Sequence, residues 1–234
     1  PLFERLASGV RLNTAGELFV QHIRTQTAEL ARVQSQIADL SGIRRGHVRI
    51  ASGADTMRYF LPETVARYRG EHPAVTFDLV RQSGDAAEQA LRTLEADLAL
   101  IFEPIKSADF QTMATARQQL YCMMSANHPL AKKPMIRLRD CVGQPAILPR
   151  ADAGLRQLLN VGLIRRSVEL GTVIESNSQE FLQNYLTHEM VISFQIPIAM
   201  PSDLITAPLN TSVIVAKPVD LADVPAGILH IGQL

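Results

Sequence analysis

The longest hydrophobic pattern in the chain lies near its start. Apolar residues recur at Phe19, Ile23, Leu30, Val33, Ile37 and Leu40, and the three-and-four spacing is that of a heptad seam with Gln26 as its one interruption. The pattern predicts a helix over residues 13–40, on the order of 40 Å long at about 1.5 Å per residue. Asn13 supplies an N-cap, and Thr14-Ala15-Gly16-Glu17 reads as a capping box. Polar flanks at Gln21, Arg24, Gln34 and Gln36 leave two uses for the stripe: pairing with a second copy of the helix, or packing on the helix's own domain.

After Ser41-Gly42-Ile43-Arg44-Arg45-Gly46, a stop-and-hinge segment, the pattern changes. Strands are predicted over 47–51, 75–81 and 97–102, with helices over 61–71 and 86–94 between them. This β-α-β-α-β order implies a parallel sheet. A second unit follows, with strands over 120–125, 146–148, 171–176 and 190–194 and helices over 154–161 and 179–187. Strands over 204–208 and 228–231 return the chain. Two α/β units crossing near residues 118 and 206 predict a two-lobed clamp that closes on a ligand at the carboxyl ends of its strands.

Composition narrows the class. The 234 residues are 47% hydrophobic and 20% charged, with no net charge, which fits an ordered globular chain without an overall phosphate-gripping surface. The first 50 residues hold seven Arg against four acidic residues. Cys122 and Cys141 lack a CxxC spacing and read as buried free thiols of a reducing compartment. No run reaches the roughly 18 apolar residues of a membrane span, and no signal segment opens the chain, so a cytoplasmic location is expected. The opening at Pro1 and the stop directly after a strand-like run point to a fragment.

Catalytic patterns are missing. The six histidines are scattered, His188-Glu189 lacks the second His of a zincin helix, and there is no G-x-S-x-G elbow, P-loop or G-x-G-x-x-G after a strand. Neither a metal nor a cofactor is expected, nor an enzyme.

Against that background the N-terminal residues become informative. Leu2-Phe3-Glu4-Arg5, Gly9-Val10-Arg11-Leu12-Asn13 and Ala15-Gly16-Glu17 resemble the wing and linker-helix entry of LysR-type transcriptional regulators. Leu61-Pro62, His72-Pro73, Asp97-Leu98-Ala99-Leu100 and His128-Pro129-Leu130-Ala131 follow in the family's order. The resemblance implies an α/β fold: a long N-terminal linker helix, then a two-lobed periplasmic-binding-protein-like (type 2) effector domain. Residues 1–12 would be the remnant of a winged helix-turn-helix, 13–43 the dimerisation helix and 44–234 the effector domain. Lobe I would hold 44–118 and 207–234, and lobe II 119–206.

By the same resemblance the base-reading helix would precede Pro1, and the parent protein would bind DNA as a homodimer or homotetramer. Arg5 and Arg11 would be wing residues able to touch phosphate. The effector cleft would be lined by Ser52, Asp55 and Thr56 after the first strand and by Ser83, Gly84 and Asp85 after the second. Phe102, Pro149 and Phe194 would form its apolar walls. Asp55 and Asp85 would disfavour an anion, pointing to a neutral or amine-bearing effector; alternatively both are N-caps, with Ser52, Thr56 and Ser83 as the contacts. A solute-binding receptor of a transport system and an enzyme on the same clamp are the competing readings, and the linker helix separates the regulator reading from both.

Overall fold

The structure is a computed structural model. It describes residues 1–6, 9–40, 46–196, 198, 208–209 and 212–234, and for residues 31, 32, 35, 36, 38–40, 179, 208, 209, 212 and 213 the backbone alone. The hinge at 41–45 and most of the strand expected over 204–208 fall outside the described residues, as does the Leu40 side chain.

A hairpin opens the chain, β1 (Phe3–Leu6) running antiparallel to β2 (Gly9–Leu12) with Phe3 opposite Leu12. Gly9 has φ +136°, a conformation that only glycine adopts readily. Asn13 then caps the helix as expected: its Oδ1 accepts the Gly16 N–H at 2.9 Å. Helix α1 runs over Thr14–Leu40. Its seam is largely uncovered, with Phe19 49%, Ile23 46%, Leu30 58%, Val33 39% and Ile37 62% exposed. Arg24 ties α1 to the body of the chain, meeting Glu95 at 3.0 Å and donating to the Thr93 carbonyl at 3.4 Å.

Two sheets follow. The first has the order β4-β3-β5-β13-β6, from β3 (Gly46–Ser52), β4 (Val75–Arg81), β5 (Leu98–Phe102), β6 (Gln111–Gln118) and β13 (Gly227–Gln233). Strand β3 pairs in parallel with both β4 and β5, as the β-α-β-α-β pattern requires. Helices α2 (Leu61–Glu71) and α3 (Gly84–Arg92) are the crossovers. The second sheet has the order β11-β12-β7-β10-β8-β9. Its strands are β7 (Tyr121–Ser125), β8 (Pro145–Pro149), β9 (Gly171–Ser176), β10 (Ile192–Gln195), β11 (Pro208–Leu209) and β12 (Ser212–Pro218), with helices α4 (Gly154–Arg166) and α5 (Gln179–Tyr185).

Strand β12 corrects one expected boundary. It pairs antiparallel with β7, Ile214 opposite Ser125, so residues 212–218 belong to the second lobe and not the first. The chain returns only after Pro218. The reason is apolar: Ile214 is buried in one cluster with Met123, Ile147 and Leu182, all second-lobe residues.

Fixed polar contacts hold the frame. Arg49 on β3 grips Asp97 with Nε at 3.2 Å and a terminal N–H at 2.6 Å, while its backbone N–H also donates to that carboxylate. Asp97 raises the affinity of Arg49 for its proton. Buried Glu88 accepts the backbone N–H groups of Lys106 and Ser107 at 2.8 and 2.7 Å, which pins the loop after β5. Cys122 and Cys141 are both free and buried, and burial pushes the Cys122 thiol well up, away from reactivity. Among the described residues no helix is long and apolar enough to cross a membrane.

Candidate functional site

The parallel strands of both sheets end in loops that lead into helices, and these loops meet. At the end of β3, Ser52 is fully buried and its hydroxyl hydrogen-bonds that of Thr56. Thr56 also donates to the Gly53 carbonyl at 3.0 Å, and the Met57 N–H donates to the same oxygen. These bonds fold Gly53–Thr56 into the first turn of a helix. A widened turn over Thr56–Phe60, in which the Leu61 N–H reaches the Thr56 carbonyl, joins it to α2. At the end of β4, the Gln82 N–H donates to the Ser52 carbonyl at 2.9 Å, so Ser83 and Gly84 sit beside the first loop.

The second lobe answers with Pro149–Gly154 after β8 and with Ser176-Asn177 after β9. Close packing fixes the point where the lobes join. A side chain at Gly154 would come within 2.6 Å of the Glu103 carbonyl, and one at Gly227 within 2.1 Å of the Phe102 ring. Phe102, the last residue of β5, is therefore clamped between α4 and β13.

The loops enclose a cleft of about 340 Å³, within the size range of small-molecule sites. From the first lobe it is lined by Asp55, Thr56, Arg81, Gln82, Ser83, Gly84 and Phe102; from the second by Pro149, Arg150, Asp152, Gly154, Ser176 and Asn177. Ile196 and Ile198 complete an apolar side. The helix-opening residues Ser83 and Ala153 cap nothing with their side chains, so the first N–H groups of α3 and α4 stay available at the cleft.

Six of the nine expected cleft residues are in this lining: Asp55, Thr56, Ser83, Gly84, Phe102 and Pro149. Three are not. Ser52 lies beneath the surface and hydrogen-bonds Thr56, which lines the cleft. Asp85 turns away to bind Lys106 Nζ at 2.6 Å, so it places no charge on the cleft wall. Phe194 is fully buried in the core, and the residues that reach the cleft are Ile196 and Ile198, just beyond the end of β10.

The sequence reading missed Arg81, Gln82, Arg150, Asp152, Ser176 and Asn177. Each adjoins the end of a predicted strand, which is the signal that could have found them. Arg81 and Arg150, one from each lobe, have no ion-pair partner at hydrogen-bonding distance among the described residues. Those residues also hold no group of three or more His, Cys, Asp or Glu side chains placed for a metal.

Known proteins share this fold. The sequence profile of the LysR substrate binding domain matches residues 41–229. The chain is 24% identical over 209 residues to the HTH-type transcriptional activator CmpR of Synechocystis, covering 89% of this chain and 68% of the relative. Across the first three curated relatives the chain spans 47–68% of their length. Full-length OxyR from Pseudomonas aeruginosa superposes with a TM-score of 0.73 at 22% identity, over 99% of this chain and 74% of that one. The CcmR regulatory domain of Synechocystis, solved with 2-PG, gives 0.68 at 19% identity, over 81% of this chain and 88% of that one.

Proposed function

The chain belongs to the LysR substrate binding domain family, and from that premise we propose that it is the sensing part of a ligand-responsive regulator, with the inter-lobe cleft as its effector site. One observation carries the reading: polar loops of both lobes and two uncapped helix starts converge on a single cleft. A ligand touching both walls binds the closed arrangement more tightly and shifts the lobes toward it. That change is the whole event. The relatives are transcriptional regulators, and the chain binds its ligand without turning it over.

The proposed contacts are Asp55, Thr56, Ser83, Gly84, Phe102 and Pro149, joined by Arg81 and Arg150. Of the two carboxylates expected to disfavour an anion, Asp85 pairs with Lys106 outside the lining while Asp55 stays in it. Arg81 and Arg150 line the cleft together with Asp55 and Asp152, so we read it as a site of both signs that takes an anionic group at its arginines. CcmR, of the same fold, holds 2-PG; a small metabolite is the corresponding reading here.

The exposed seam of α1 is the proposed dimerisation surface, through Phe19, Ile23, Leu30, Val33 and Ile37. In the parent protein the paired helices would carry the lobe movement to DNA-binding heads. The wing arginines serve there in different ways: Arg11 is held by Glu4 at 2.9 Å, so its phosphate contact would have to compete with that pair, whereas Arg5 is exposed.

Calorimetric titration of the chain with carboxylate and amine panels tests this reading. The expected result is saturable binding of a carboxylate that is weakened at least tenfold in Arg81→Met and Arg150→Met, with the ligand recovered unchanged. Binding untouched by both substitutions, or consumption of the ligand, overturns it.

A further inference from the structure

Beyond the cleft lining, the lobes touch at a second place. Arg58 lies in the widened turn between the first loop and α2, and its terminal N–H donates to Gln183 Oε1 on α5 at 3.0 Å. Gln183 is buried, and its side-chain N–H donates in turn to Gln195 Oε1 at 2.9 Å, at the end of β10. The contact thus runs from a first-lobe cation, through a buried amide, into the second sheet, and it joins residues 125 positions apart.

Three features mark this contact as more than a surface hydrogen bond. Gln183 and Gln195 occupy a packing layer between α5 and β10 where apolar residues would serve better, and buried amides are tolerated only when paired. The Gln183 oxygen finds that partner across the cleft, on the other lobe. Arg58 is only two residues beyond Thr56, a wall of the cleft, so a shift in the first loop moves the guanidinium directly. Arg58 and Arg81 also lie within electrostatic reach of Glu180 on α5, whose carboxyl is held below its usual range by its own backbone N–H and the Ser178 hydroxyl, with these two arginines adding to the effect.

We propose that Arg58 and Gln183 form an inter-lobe clasp that sets the resting closure of the cleft. Opening exchanges the bond for water at both ends. Arg58 returns to solvent, and Gln183 keeps its bond to Gln195. The bond is charge-assisted yet lies at the boundary of the buried layer, so its loss is expected to raise the open-to-closed ratio about fivefold, a bias that a ligand overcomes easily. Arg58 is on this account a positioning residue: it touches no ligand and acts by fixing how far apart the two walls stand. The proposal takes the cleft as the effector site described above.

A distance measurement without ligand tests the clasp. Cys122 and Cys141 are buried, so spin labels can be directed to Glu63→Cys on the first lobe and Glu169→Cys on the second, with labelled chains diluted in unlabelled ones. Against the labelled parent, Arg58→Met and Gln183→Leu should each enlarge the longer-distance population about fivefold. Gln183→Glu, which gives Arg58 a carboxylate, should narrow the distribution toward the short distance. A distribution unchanged in both Arg58→Met and Gln183→Leu overturns the clasp while leaving the effector site standing. Failure of every ligand to bind would remove the effector site without altering the distances.

Discussion

In α1, Phe19, Ile23, Leu30 and Ile37 are 46–62% exposed, whereas Phe194, Ile147, Leu159 and Leu182 of the second lobe are fully buried. The α1 stripe keeps a 3.5 period but for Gln26, and the second-lobe residues come from strands β8 and β10 and helices α4 and α5, yet one set is covered by its own chain and the other is not. A stripe that faces solvent in a single chain gains its hydrophobic stabilisation only when a partner covers it. The lobes therefore own their stability, and α1 borrows its own.

Substitutions should separate the two regions sharply. Leu159→Ala removes a fully buried side chain from α4 and should lower lobe stability by about 2–5 kcal/mol, read as a drop in the urea midpoint. The equivalent Ile37→Ala in α1 should leave that midpoint within about 0.5 kcal/mol; a comparable drop would mean that α1 packs on the lobes. Asp97→Asn comes next. It weakens the Arg49 fork in the first sheet and should cost about 1–2 kcal/mol, reduced from the fully buried figure because both side chains are partly exposed. Asn13→Ala removes the α1 cap and should cost about 1 kcal/mol, visible as lost helix signal ahead of lobe melting.

Mild acid should act on the second lobe. Burial holds the His128 imidazole below its ordinary value, outweighing a hydrogen bond to the Gln144 side chain that pulls the other way; its Nδ1 accepts the Leu130 N–H at 3.2 Å and so must be unprotonated. The unfolded chain takes a proton near pH ~6.5 that the folded chain refuses. Stability is therefore full above that value and declines as pH falls below it. His128→Asn, which keeps an acceptor, should flatten this slope in a pH series of melts. The smallest effect on the lobes belongs to the seam: Ile23→Glu with Leu30→Glu should turn a sedimenting dimer into a monomer and leave lobe melting unchanged.

Most of the frame was legible because its periods are clean. The boundaries of α2, β4 and β9 coincide with the predicted spans, and the cap at Asn13 was read from residue type alone. The hairpin strands β1 and β2 were not predicted, and within the lobes two more escaped. β6 is QTMATARQ, almost wholly exposed and without an apolar face, so no period marks it. β12 carries Val213, Ile214 and Val215, but its membership of the second sheet is a long-range pairing that local pattern does not encode. The cleft shows the same divide. Loops at strand ends could be located, but whether Ser52 or Thr56 faced the cavity depended on a hydroxyl pair, and Asp85 was removed from it by Lys106, 21 positions away.

The central claim, that one cleft built from both lobes receives the ligand, is tested most directly by hydrogen exchange on the chain with and without its tightest binder from the titration panels. The account predicts slowed exchange at 53–56 and 82–84 in the first lobe and at 150–156 and 176–178 in the second, rising together with occupancy, while the middle of α1 is unaffected. Protection confined to one lobe, or appearing only outside these four segments, would contradict it.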